Sequence, residues 1–219
     1  MLQKSVKLRP YEERDRESVR RICCDTAFMG EKIDTVFRDR DIFADIIAEP
    51  YLRYEPEWTW VAESQGRIVG FLMSSVSRYF HVNRMRTSAP AVAKLIFKLN
   101  RGLYADHPRS ERFARWLLFK SWKEKTSHPK GAAHMHYDIM KGFRSAGLGW
   151  VMWQTFERAL KAQGKCHYYG KFFSWPGRNV ERLYWLVDAH TFSRSRTTIF
   201  DQEIPELEMI CMHKWISNH

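Results

Sequence analysis

The segment that most constrains the fold is Ile139-Met140-Lys141-Gly142-Phe143-Arg144-Ser145-Ala146-Gly147-Leu148-Gly149, which joins a β-rich run to a helical one. Ahead of it, Ala133 to Met140 reads as a strand. Behind it, Leu148, Val151, Met152, Phe156, Ala159 and Leu160 recur at helical spacing, and Gly164 suits the helix end. Gly147 and Gly149 let the backbone approach a ligand closely. Consecutive N–H groups converge at such a turn, and the N-terminus of the helix adds partial positive charge, so the unit is suited to an anion.

The rest of the chain alternates strands and helices around this unit, which places it in the α/β class. Val6 to Pro10 reads as a short strand, and Asp15 offers an N-cap to a helix whose apolar face holds Val19, Ile22, Cys23 and Ala27. A second helical stretch, with Val36, Phe37, Ile42, Phe43, Ile46 and Ile47, should end before Pro50. Trp58 to Glu63 and Ile68 to Met73 form a hairpin about Ser64-Gln65-Gly66-Arg67. After the central helix come a strand from Cys166 to Phe173, a turn at Trp175-Pro176-Gly177-Arg178 and a helix around Val180 to Ala189. A closing hairpin is expected from Arg196 to Phe200 and Leu207 to Trp215.

Between the hairpin and the central strand lies a basic insertion. Residues 77 to 131 carry 13 Lys plus Arg against Asp106, Glu111 and Glu124, whereas the whole chain of 219 residues has a net charge of +11. The rest of the protein is therefore close to neutral. Pro90 can open a helix at its first position, with Val92, Leu95, Ile96, Leu99 and Leu103 as its stripe and Lys94, Lys98 and Arg101 off it. A second helix is expected through Phe113, Trp116, Leu117 and Trp122, then a return loop from Thr126 to Gly131. The insertion reads as a helical pair covering a sheet edge or a homodimer partner, as a surface for an anionic acceptor, nucleic acid or acidic headgroups, or as a lid.

No run of eighteen or more apolar residues occurs and the first residues lack the apolar core of a signal peptide, so a cytoplasmic protein with no transmembrane segment is expected. Cys23, Cys24, Cys166 and Cys211 form no Cys-x-x-Cys pair, which argues against a thiolate zinc site.

The segment from Ile139 to Gly149 resembles the acyl-CoA-binding motif of the GNAT superfamily, Gln/Arg-x-x-Gly-x-Gly/Ala after a strand. Arg144, Gly147 and Gly149 fill its three defined positions. The order of elements from Val6 to Trp215 is also similar to that of the superfamily, over about 165 residues outside 77–131. The resemblance implies a single domain with a mixed, mostly antiparallel sheet splayed between its fourth and fifth strands. It further implies acetyl-CoA or another acyl-CoA as cosubstrate, with Ile139 and Met140 offering backbone groups to the pantetheine and thioester. Arg144, Ser145, Ala146, Gly147, Leu148 and Gly149 would bind the pyrophosphate. Tyr184 matches the general-acid position, although the asparagine that the family places upstream of it has only the nearer Asn179 as counterpart. His134-Met135-His136-Tyr137-Asp138 is similar to the His-x-Asp strand of a subset related to the acetyltransferase-like domain attached to some glycosidases.

Acyl transfer to an amine needs a neutral nucleophile, oxyanion stabilisation and a proton for the leaving thiolate. His134, His136 and Asp138 alternate along a strand and share one face, so Asp138 or His136 could take a proton from an ammonium. The same residues could instead be a hydrogen-bonded cluster or, less simply, metal ligands. Tyr184 is either the acid or a buried helix aromatic. The function expected is an N-acyltransferase; the alternatives are a GNAT-fold module that binds acyl-CoA without turnover and a basic nucleic-acid-binding protein.

Overall fold

A computed structural model describes residues 6–144, 146–178, 180–185 and 187–216. Seven strands form one sheet in the order β1-β2-β3-β4-β5-β7-β6. β1 (Lys7–Pro10), β2 (Thr59–Ser64), β3 (Arg67–Ser75) and β4 (Ala133–Ile139) are successive antiparallel neighbours. The β2–β3 turn forms as its residues demand, with Gln65 and Gly66 at φ 51° and 73°, the left-handed pair that matches strand twist in a two-residue hairpin. β5 (His167–Ser174) runs parallel to β4, and β7 (Glu208–Trp215) and β6 (His190–Arg196) complete the sheet antiparallel.

α6 (Ala146–Ala162) and α7 (Val180–Trp185) cover one face. Leu148, Met152, Trp153, Phe156 and Leu160 of α6 and Tyr184 of α7 pack there on Leu72, Met135, Ile139, Tyr168 and Ile210. α1 (Arg16–Thr26) and α3 (Glu49–Tyr54) cover the other, with Val19, Ile22, Cys23, Tyr51 and Leu52 against Phe71 and Met73. α2 (Arg40–Ile47), α4 (Phe80–Asn100) and α5 (Pro108–Phe119) build a further core on that second side, with Phe37, Ile42, Leu95, Tyr104 and Phe113 at its centre.

Several expectations change in detail. Asp15 precedes α1 but does not cap it; its carboxylate takes two bonds from Arg9, at 2.6 and 2.8 Å, and one from the Glu12 N–H. Pro90 lies inside α4, which begins ten residues earlier because Phe80 anchors it against Tyr51 and His134. Tertiary packing there outweighs the cost of a missing helix hydrogen bond. Trp122 falls beyond α5 and is exposed. On α6, Trp153 rather than Val151 joins the core. β6 occupies 190–196, ahead of the expected Arg196–Phe200, so the β6–β7 connection is long and includes Thr197 and Phe200 among buried residues.

The insertion is bound to the domain by polar contacts as well as packing. Lys98 reaches Asp39 at 2.6 Å and Tyr104 bonds the same carboxylate, so Lys98 is part of the scaffold and not a free cation. Glu124 accepts bonds from Trp116 Nε1 at 2.6 Å and from the Thr198 N–H and hydroxyl, both at 2.7 Å, tying the end of the insertion to the β6–β7 connection. The outer side of α4 leaves Val82, Met85, Ile96 and Phe97 exposed. Among the described residues no helix is long and apolar enough to cross a membrane.

Candidate functional site

β4 is seven residues long and β5 eight, yet they pair only at Ala133 with Tyr168, His134 with Tyr169 and Met135 with Gly170. β4 stays on β3 as far as Ile139, and β5 stays on β7 as far as Ser174. The facing edges of 136–139 and 171–174 therefore diverge, which opens a gap in the sheet. The backbone groups on those two edges no longer pair with each other, as they would in a continuous sheet.

The Arg144–Gly149 segment stands at the end of β4. Lys141–Phe143 make one tight turn and α6 starts at Ala146. Ser145 and Asn179 lie outside the described residues. Gly147 is exposed, and a Cβ added to it would meet nothing within 4 Å. Leu148 is buried and holds the first turn of α6 to the core; Gly149 lies over Ile139. Arg144 bonds the Ile139 carbonyl and the Gly30 carbonyl, each at 2.7 Å. Gly30, at φ 89°, is also where a side chain would collide with the Arg144 guanidinium. Beside it Lys141 pairs with Glu31 at 2.5 Å. Both Met140 backbone groups are engaged, the N–H with Val69 O and the carbonyl with the Phe143 N–H. By strand alternation the Ile139 N–H then points away from β3, toward the gap. An open cleft of about 1000 Å³ runs from the β2–β3 turn past Arg21 of α1 to Met140 and Phe143, so it borders the same connection.

On the α6 face of the gap, Tyr137 and Tyr184 share a hydrogen bond of 3.1 Å between hydroxyls. Tyr184 is 2% exposed, between Phe172 at 4.3 Å and Trp153 at 5.2 Å. Burial, reinforced by Tyr137, holds its phenol well above the ordinary value, so it remains protonated near neutral pH. Helix and strand thus bring Tyr184 to the gap, but with a partner that spacing alone did not reveal. The sign available in the sequence was that Tyr137 alternates with His136 and Asp138 and so faces the opposite side.

On the other face, His136 Nε2 and Asp138 Oδ2 are 3.2 Å apart and the imidazole stacks on Phe71. His134 is not part of this pair. Its Nδ1 meets the Tyr51 hydroxyl at 2.6 Å and its ring lies on Tyr169. Burial above all, and then the charges of His136, Lys171 and Arg84, hold it neutral. Among the described residues no group of three or more His, Cys, Asp or Glu side chains is placed to hold a metal ion.

No protein-family model and no curated sequence matches the chain. Solved structures do. A protein described as SsHAT superposes with a TM-score of 0.61 at 20% identity, over 98% of this chain and 100% of its own. Ard1 from Thermoplasma volcanium gives 0.55 at 14% identity, over 97% and 99%. The ribosomal-protein-S18-alanine N-acetyltransferase from Escherichia coli gives 0.55 at 12%, over 98% and 96%. With the parted strands, these likenesses decide the architecture. The chain has the GNAT fold. In the GNAT fold seen here, β4 and β5 are the strands that part, and the loop carrying Arg144 leads from the first of them into α6, with Gly147 in its first turn.

Proposed function

We propose that the protein transfers an acyl group from acyl-CoA, acetyl-CoA in the simplest case, to an amine. The observation that carries this reading is the loss of β4–β5 pairing after Met135 and Gly170, next to a glycine-bearing helix start that is open to solvent. The residues present fit such a cosubstrate. The first N–H groups of α6 and the cations Lys141 and Arg144 suit the pyrophosphate, and the Ile139 N–H suits the pantetheine. Met140, whose backbone groups are already engaged, contributes position rather than a bond.

The bound thioester would supply the electrophilic carbonyl. The amine forms the new C–N bond as the C–S bond breaks. Asp138, through His136 or directly, takes the proton that the ammonium must lose. Tyr184 gives its proton to the departing thiolate, and Tyr137 holds the phenol in place and can share the charge that develops. The two functions lie on opposite faces of the gap, which keeps acid and base apart. Two measurements test the reading together: calorimetric titration with CoA and acetyl-CoA, and thiol release over a panel of amines. Absence of binding at millimolar CoA would overturn it. Binding without thiol release from any amine would instead indicate a module that binds and does not turn over.

A further inference from the structure

We infer that the acceptor amine carries its own oxyanion, a carboxylate or phosphate, seated in a cationic pocket where the insertion meets the start of the β4–β5 gap. The inference rests on the acyl-transfer reading and names the class of acceptor.

The pocket is built from three places in the chain. His81 and Arg84 come from the first turns of α4, Lys125 and His128 from the return loop, and Lys171 from β5. His81 Nε2 and His128 Nε2 face each other at 3.1 Å. The His128 ring stacks on Tyr169 with centroids 4.8 Å apart, and Tyr169 in turn carries His134 at 4.8 Å. Lys171, two residues on from Tyr169 and therefore on the same face of β5, donates to the Thr126 carbonyl at 2.9 Å. His81, Arg84 and Lys125 are exposed, while His128 and Lys171 are half-buried, so the cluster reaches from the surface inward.

Its charge has no carboxylate counterpart among the described residues. Among the described residues, none of His81, Arg84, Lys125, His128 and Lys171 forms an ion pair with a carboxylate. Glu55, whose charge reaches Tyr51, is engaged by Ser75 and by the Val76 and Ser77 N–H groups at 2.9 and 3.0 Å. Asp138 is engaged by His136. Burial pushes the Lys171 ammonium below its ordinary value, and Arg84 and Lys125 add to the effect. Burial, then Lys171, His81 and Lys125, brings His128 down to about 4. A half-buried cation held among other cations is unfavourable unless an anion joins it. The same cations oppose a divalent metal on the His81–His128 pair.

The location fixes what that anion belongs to. His134 and Tyr169 are directly paired across β4 and β5, one residue before pairing ends. His136 and Asp138 follow on the same face of β4, ~7 and ~13 Å along the strand from His134, and Lys171 follows Tyr169 along the facing edge of β5. A small amine with its oxyanion a few bonds away spans that interval, with the nitrogen at His136 and Asp138 and the oxyanion among Lys171, Arg84 and the two imidazoles.

The test compares glycine with glycinamide and phosphoethanolamine with ethanolamine, with acetyl-CoA saturating and each amine at matched free-base concentration. Wild-type protein should favour at least one charged member by tenfold or more in kcat/KM. Which of the two it favours separates carboxylate from phosphate. In the double variant Arg84→Gln, Lys125→Gln the preference should fall to about twofold through the acceptor KM, with the acetyl-CoA KM unchanged. Equal rates for charged and neutral members, or a preference that survives the substitutions, would overturn the inference. If no amine is acylated, the acyl-transfer reading fails, and titration of the His81 and His128 ring protons with inorganic phosphate decides the pocket by itself. A phosphate-dependent rise in their pKa that the double variant lacks retains the anion site, whereas unchanged titration removes it.

Discussion

Replacing Gly147 by leucine probes the loop at the start of α6 without disturbing the free protein. Gly147 is the second residue of α6, and the space a side chain would enter is empty to 4 Å. Helix propensity then favours leucine over glycine by ~0.5–1 kcal/mol, so the variant should unfold at the same urea concentration as the parent or higher. Ligand binding should move the other way. On the proposed reading the new side chain would stand where backbone and pyrophosphate meet, and each charge-assisted N–H bond lost is worth ~1.5–3 kcal/mol, roughly a 10- to 150-fold rise in the CoA Kd. Urea denaturation of the free protein and calorimetric titration with CoA measure the two effects separately. A CoA Kd within twofold of wild type, in a variant of undiminished stability, would refute the placement of the pyrophosphate at this helix start.

Tyr184→Phe should lower kcat by ~10²-fold or more while the acetyl-CoA Kd stays within about twofold, because a general acid acts on the departing thiolate; single-turnover thiol release checks this, and an unchanged rate removes Tyr184 from the chemistry. Gly30→Ala should weaken CoA binding and lower the melting temperature together, since φ 89° disfavours a side chain and its Cβ would displace the Arg144 guanidinium; calorimetry and thermal unfolding on one preparation test the pairing, and an unaltered Kd would show that Arg144 needs no support from this turn. Glu124→Ala should cost about 1–3 kcal/mol in urea unfolding by stranding the Trp116 and Thr198 donors. Burial works against the Glu124 charge, but the bonds from Thr198 and Trp116 outweigh it and hold its pKa below the ordinary value. Its contribution is therefore complete above the unfolded-state pKa of ~4.3 and is lost as pH falls through the lower folded value; a wild-type and Glu124→Gln pair with parallel stability profiles below pH ~4.3 would contradict that.

The elements that were legible in the sequence are those whose signal is local. The hairpin about Gln65-Gly66 needs two left-handed residues in a row and has them. The α6 stripe of Leu148, Met152, Phe156 and Leu160 repeats at the helical period, and Gly164 at φ 66° ends the helix. The common face of His134, His136 and Asp138 follows from strand alternation alone. Where local rules competed with distant contacts they misled. A proline read as a helix start became a helix interior because Phe80 is held by Tyr51 and His134. The carboxylate of Asp15, offered as a cap, was claimed by Arg9.

The candidate site divides along the same line. Arg144, Gly147 and Gly149 were legible as candidates because the requirements of a phosphate-binding helix start would be written in consecutive residues. The partnership of Tyr137 with Tyr184 was not, since it joins residues 47 positions apart across a strand and a helix. Nor was the grouping of Arg84, Lys125, His128 and Lys171, whose members are scattered through 88 residues and are drawn together only because the segment between β3 and β4 folds back beside β5. Net charge is additive along a chain and can be counted from the residues alone. Whether a particular charge is spent, as Lys98 is on Asp39, or has no carboxylate partner among the described residues, as Lys171 has none, depends on which segments the tertiary fold makes neighbours.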